Sequence, residues 1–154
     1  MKNIYLYLGL FIFIATCSQA SNLQTNLEQS EAFLVSNSAK DGVISLEDGL
    51  QYSVIKSGDI GESPPAISET ITAHFHGTLL DGTVFWSSVE NGEPLTIQLS
   101  QLIPGCQKVI SKMRTGDLWR VFIHPNLAYG QEGRPTIPPN STLIFDIELI
   151  NVDA

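Results

Sequence analysis

Two cysteines, Cys17 and Cys106, are all the chain carries. That set is too small for a disulfide framework or a zinc motif, and both are excluded. Basic residues are scarce too: 8 Lys and Arg stand against 16 Asp and Glu, with no basic cluster among them. A nucleic-acid backbone would find nothing to pair with, and the acidic balance reads as solubility. No apolar run reaches the length of a full membrane span. The Ile4 to Ala15 stretch has the length of a signal-peptide core instead. No nucleophile stands beside a base, and no carboxylate pair is evident from spacing. His74, His76 and His124 have no carboxylate at ligand spacing, so no metal and no cofactor is implied. Asn140-Ser141-Thr142 fits a glycosylation sequon but falls in a turn, where the ordinary reading is a turn residue. Internal repeats and low-complexity segments are missing as well.

What is present begins with processing. Lys2, the apolar run and the small residues of Ser18-Gln19-Ala20 mark residues 1–20 as a signal peptide, with a mature chain starting near Ser21. Ile14-Ala15-Thr16-Cys17 offers a competing reading as a degraded lipoprotein box, which would place the protein on the outer membrane through a lipidated Cys17. Either route removes or uses Cys17 and leaves Cys106 as a lone thiol, even in an oxidising compartment. The expected location is the periplasm or outside the cell, with membrane contact only through a lipidated Cys17.

Residues 21–48 are polar and thinly apolar. Leu23, Leu27 and Leu34 suggest a short amphipathic helix with Phe33 beside it, and Asp41-Gly42 and Asp48-Gly49 punctuate the entry to a domain over residues 49–154. There the period changes to two. Leu50, Tyr52 and Val54 alternate; Ile71, Ala73, Phe75 and Gly77 share one strand face, with Thr72, His74, His76 and Thr78 on the other. Asp81-Gly82 turns the chain back towards Val84-Phe85. Leu95, Ile97 and Leu99 alternate next. Pro104 suits the first turn of a helix carrying Cys106, Val109, Ile110 and Met113, and Leu118 to Ile123 returns as a strand. Several antiparallel strands with one helix across them make an α+β domain, an antiparallel twisted sheet wrapped on one short helix.

The stretch from Asn126 to Val152, NLAYGQEGRPTIPPNSTLIFDIELINV, organises the rest. Tyr129 stands in a Gly/Pro-rich loop, Pro138 and Pro139 mark a turn, and Leu143, Phe145, Ile147 and Leu149 then alternate, with Ile144 and Ile150 blunting the pattern. A proline-stiffened loop beside a sheet makes a poor core element and a good binding wall. Ala128-Tyr129-Gly130, the Ile137-Pro138-Pro139 before a strand, the Phe145-Asp146…Glu148-Leu149 ending, the Gly77…Phe85 hairpin and Leu102-Ile103-Pro104-Gly105 together resemble the FKBP-type peptidyl-prolyl isomerases. The resemblance runs from about Gly49 to the C-terminus. Glu31 to Tyr52 resembles the join in secreted bacterial members of the macrophage infectivity potentiator type, whose long helical arm makes a dimer. Residues 21–45 are too few for that arm, so a monomer is expected.

The resemblance implies an isomerase of X-Pro bonds acting on proline-containing polypeptides and assisting the folding of secreted proteins, with macrocyclic FKBP ligands as further partners. It implies a catalytic set of Tyr129, Phe85 and Phe145, the two rings clasping the proline and the Tyr129 hydroxyl offered to a substrate carbonyl. Phe75, Trp86, Leu95, Leu102, Ile103, Cys106 and Ile137 would line the pocket, with the Ile103 backbone N–H a second donor. Four positions depart from the family's pattern: Phe75 replaces its usual tyrosine, Trp86 its acid, Leu95 an aromatic and Cys106 its indole floor. Trp86 and Trp119 are candidates to refill the lost aromatic surface. The departures leave an alternative, a proline-peptide binding or chaperone module that has kept the fold and lost turnover.

Overall fold

A computed structural model describes residues 22–58 and 60–153; the expected signal peptide over residues 1–20, with Cys17, lies outside the described residues. A seven-stranded antiparallel sheet forms the frame. Its strands are β1 (Ile44–Glu47), β2 (Leu50–Lys56), β3 (Thr70–Thr78), β4 (Val84–Ser87), β5 (Leu95–Gln98), β6 (Leu118–Ile123) and β7 (Leu143–Asp153). The order is β1-β2-β6-β7-β3, and both β4 and β5 pair with β3, at opposite ends of it. Helix α1 covers residues 22–38, α2 is the single turn Ser88–Asn91, and α3 is Pro104–Ile110.

Strict alternation builds β3 as expected: Ile71, Ala73, Phe75 and Gly77 are buried while the residues between them are half-exposed. Leu143, Phe145, Ile147 and Leu149 of β7 share the same inner face, and the two strands pair along nine positions. The register shifts between Thr72 and Ala73, where Asn151 and Leu149 are the partners. That leaves Ile150 in a bulge, which accounts for the break it makes in the alternation. The inner face closes on α3, whose Cys106, Val109 and Ile110 join Leu50, Ile71, Leu99, Met113, Val121 and Ile123 in one core. Contact there is close. A Cβ on Gly105 would lie 2.5 Å from Cγ2 of Ile123, so the helix sits directly on β6 only because that side chain is missing.

The sheet starts earlier than the sequence pattern indicates. Ile44–Glu47 pairs with β2 across the Asp48-Gly49 turn, so β1 belongs to the sheet although it precedes Gly49. Helix α1 is also more than an arm. It lies on the outer face, where Phe33 meets Phe122 at 5.8 Å and Leu34 is buried. Asn37 Nδ2 donates to Gln51 Oε1 (3.0 Å), and Gln51 Nε2 donates to the Leu34 carbonyl (2.8 Å). Phe122 is therefore buried on a strand face that alternation alone would leave wet. At the other end of the sheet, the buried Asp117 carboxylate accepts from the Gly58 and Arg114 N–H groups, both at 2.6 Å. Those bonds close the turn after α3 against the end of β2.

Candidate active site

A cavity of about 540 Å³ opens between β3, β4, the start of α3 and the loop before β7. Its walls contain Phe75, Phe85, Trp86, Leu95, Leu102, Ile103, Tyr129, Ile137 and Phe145. Nine of the ten sequence-derived site residues are thus brought together. The tenth is not. Cys106 is 2% exposed within the core and does not line the cavity. The reason is reach: a thiol extends one heavy atom past Cβ and ends inside the core, where an indole would have continued upward. Burial pushes the Cys106 thiol up to about 12, so it stays protonated and unreactive. Trp119 is elsewhere too, stacked on Tyr52 at 4.3 Å. Of the two tryptophans, Trp86 supplies cavity surface.

Three aromatic rings make the far wall. Phe145 meets Phe85 edge-on at 5.3 Å and Phe75 edge-on at 6.2 Å, the arrangement the ring quadrupole favours. Two backbone devices permit it. Gly77 pairs with Phe145 on one side and Trp86 on the other, and a Cβ there would lie 2.5 Å from Cζ of Phe85 and 2.8 Å from Cε1 of Phe145. The rings lie across the space a side chain would take. The second device is a bulge. Gly77 pairs with Trp86 and Thr78 with Val84, leaving Phe85 without a partner. Neighbours on a regular strand point to opposite faces; this bulge lets Phe85 and Trp86 line the same cavity.

Trp86 and Phe75, the two departures on this wall, are in contact with ring centroids 6.1 Å apart. An aromatic pair stands where the family's pattern has a hydroxyl and an acid. Phe75 is fixed from behind by Ser88, whose Oγ accepts from the Phe75 N–H (2.9 Å) and lies 3.0 Å from Nδ1 of His74. Ser87 Oγ accepts from the Glu90 N–H (3.2 Å), capping α2, and lies 3.0 Å from Nδ1 of His76. These two histidines are spent on buried serines. Sequence reading passed over both serines and α2, although Ser87-x-x-Glu90 has capping-box spacing.

On the near side the cavity is more polar, and here Gln101, Arg134 and Thr136 join the lining. None of the three has a periodic signature, so only the folded loop brings them in. Arg134 places its guanidinium carbon 4.6 Å from the centre of the Tyr129 ring, a cation–π contact that braces the tyrosine. The Arg134–Ile137 turn is closed by bonds of 2.8 and 3.0 Å between its ends. Opposite, Ile103 caps α3 in an extended conformation with its carbonyl accepting from the Gln107 N–H (3.1 Å). Gln107 Nε2 donates to the Leu102 carbonyl (2.6 Å) and the Ser100 carbonyl (2.9 Å), which fixes the Leu102–Ile103 edge.

A family model described as FKBP-type peptidyl-prolyl cis-trans isomerase matches residues 61–150, and one described as the domain amino terminal to it matches residues 14–54. The chain belongs to the FKBP-type peptidyl-prolyl isomerase family. It is 43% identical over 128 residues to the peptidyl-prolyl cis-trans isomerase Mip of Coxiella burnetii, covering 82% of this chain and 55% of that protein. It is 44% identical over 131 residues to the outer membrane protein MIP of Legionella longbeachae, covering 84% and 55%. The crystal structure of FkpA from Escherichia coli superposes with a TM-score of 0.85 at 31% identity, over 99% of this chain and 74% of that one. The α+β fold is therefore the family's own. The chain spans about half the length of the curated relatives it matches.

Proposed function

We propose that this chain catalyses cis–trans isomerisation of X-Pro bonds in polypeptides outside the cytoplasm. The observation carrying the proposal is the cavity itself: three packed phenylalanine rings facing Tyr129 and Ile137. The barrier to amide rotation, about 18–20 kcal/mol, comes from resonance that also separates charge. An apolar cavity disfavours the charge-separated planar amide more than the twisted one, and so stabilises the transition state over the ground state. Rotation breaks no covalent bond, so the step needs no proton transfer. In this reading Phe85 and Phe145 clasp the proline ring, and the Tyr129 hydroxyl and the Ile103 N–H hold the substrate carbonyl while the bond turns. X-Pro is the natural target because both isomers are populated and exchange takes about tens to hundreds of seconds unaided.

A signal segment over residues 1–20 supports a periplasmic or secreted protein. Use of the inner face of α1 on its own sheet supports a monomer, and macrocyclic ligands of the family would compete for the same cavity. A protease-coupled assay on a proline tetrapeptide tests the function. Tyr129→Phe is expected to lower kcat/KM about three- to tenfold at unchanged thermal stability, matching about 0.5–1.5 kcal/mol for one neutral hydrogen bond. Equal turnover with a lowered melting temperature would make Tyr129 a packing residue. An inactive natural chain that still binds the peptide would make the protein a binding module.

A further inference from the structure

The loop from Tyr129 to Thr142 forms one wall of the cavity, yet it has few apolar anchors. Gln131, Glu132, Arg134, Pro135, Thr136 and Pro138 are exposed, and Ile137 is its one large buried side chain. Bonds within the loop close its tip, and polar contacts to α1 tie it to the rest of the domain. Ser30, 1% exposed, donates its hydroxyl to the Asn140 carbonyl (2.8 Å) and accepts from the Thr142 N–H (3.0 Å). Asn26 Nδ2 donates to the Pro139 carbonyl (2.9 Å), and Asn140 Nδ2 donates back to the Leu23 carbonyl (3.1 Å). Asn140 has φ 57°, a left-handed conformation that asparagine tolerates better than most residues. That conformation accompanies a bond from its N–H to the Gly130 carbonyl (2.8 Å). Gly130 follows Tyr129, whose own carbonyl accepts from Gly133 N–H (3.1 Å). A continuous chain of hydrogen bonds, buried at Ser30, runs from α1 through Asn140 to the peptide beside Tyr129.

We infer that Ser30 and Asn140 are positioning residues, through which α1 holds the Tyr129–Ile137 wall in its substrate-competent shape. The inference rests on the isomerase reading for its kinetic consequence alone. If α1 pre-organises the wall, loosening the clamp lowers the fraction of molecules ready to bind without altering the bound complex. Apparent affinity falls in proportion to that fraction, while turnover of the bound substrate stays put. Ser30→Ala is expected to raise KM about five- to tenfold with kcat within about twofold. Asn26→Ala, at a half-exposed position where alanine favours the helix, is expected to act in the same sense and more weakly. In both full-length variants, amide exchange should quicken at residues 130–137 while β6 and β7 keep their protection.

Unchanged exchange at residues 130–137 in both variants would overturn the inference. So would a rise spread evenly over the domain, which marks a plain loss of stability. Should the natural chain prove inactive, the proposed function fails, and the exchange of these amides still decides whether α1 clamps the loop. A fall in kcat at constant KM would also count against it, since the clamp acts before binding.

Discussion

Gly77→Ala is expected to lower kcat/KM on the order of 100-fold while costing the fold far less. The added Cβ would fall 2.5 Å from Cζ and 2.8 Å from Cε2 of Phe85, and 2.8 Å from Cε1 of Phe145. Phe145 is 6% exposed and pinned on β7 in register with Gly77, so the half-exposed Phe85 is the ring that must leave. Overpacking of this kind costs about 1–3 kcal/mol. Part of it is offset by about 0.4–1 kcal/mol from a less flexible unfolded chain, since the backbone at Gly77 lies outside the left-handed region. The catalytic loss is larger because a displacement of about 1 Å in a positioning group can cost about 100-fold in rate. Kinetics and a thermal melt on the same preparation check it. A variant within threefold of the natural rate would show that the Phe85–Phe145 edge is not where the proline ring sits.

That prediction marks a limit of what the sequence reveals. Period-two alternation places Gly77 on the inner face of β3 and Phe145 on the inner face of β7, and both placements hold. Why the position must be glycine becomes visible only with the register of β4 and β7 and the bulge at Phe85. Short motifs at family spacing carried the cavity's apolar lining well, since each motif is local. Contacts between distant segments were illegible. Residues 44–47 form a four-residue edge strand with mostly exposed side chains, too short for a pattern and defined only by pairing with β2. The leucines of α1 announced a helix, and Leu34 and Phe33 do pack on the sheet, but the polar part of the docking uses Ser30 and Asn37, small residues that composition assigns to solvent. Cys106 was misplaced for a related reason. Alignment with a motif gives the direction of a side chain and not how far a shorter one reaches. The polar rim of Gln101, Arg134 and Thr136 carries no periodic signal at all.

The pair Phe75–Trp86 leads to the second large effect. Read one at a time along the chain, the lost hydroxyl and the lost acid are two separate departures. In the fold the two rings touch, with centroids at 6.1 Å, so they form one exchange of a polar pair for an aromatic pair. Reversing half of it is expected to harm. Phe75 is 2% exposed, and Phe75→Tyr would bury a hydroxyl against an indole, costing about 1–3 kcal/mol if it stays unpaired. Trp86→Asp alone removes apolar wall and sets a carboxylate against a bare phenyl ring. It costs less fold stability, because Trp86 is 39% exposed, and weakens peptide binding instead. Made together, the substitutions supply a donor and an ionised acceptor to each other. The double variant is expected to recover about 1–3 kcal/mol of coupling relative to the summed singles, as groups in direct contact do. Its kcat/KM should also exceed that of the natural chain by about tenfold, since a carboxylate held in place can face the carbonyl carbon, which becomes more electrophilic as the amide twists out of resonance, and the indole cannot. Chemical denaturation of the four proteins gives the coupling, and one tetrapeptide assay gives the rates. Additivity within about 0.5 kcal/mol would mean that the two positions do not work as a unit. A double variant no faster than the natural chain would assign the chemistry to the apolar walls, with the aromatic pair an equal substitute for the polar one.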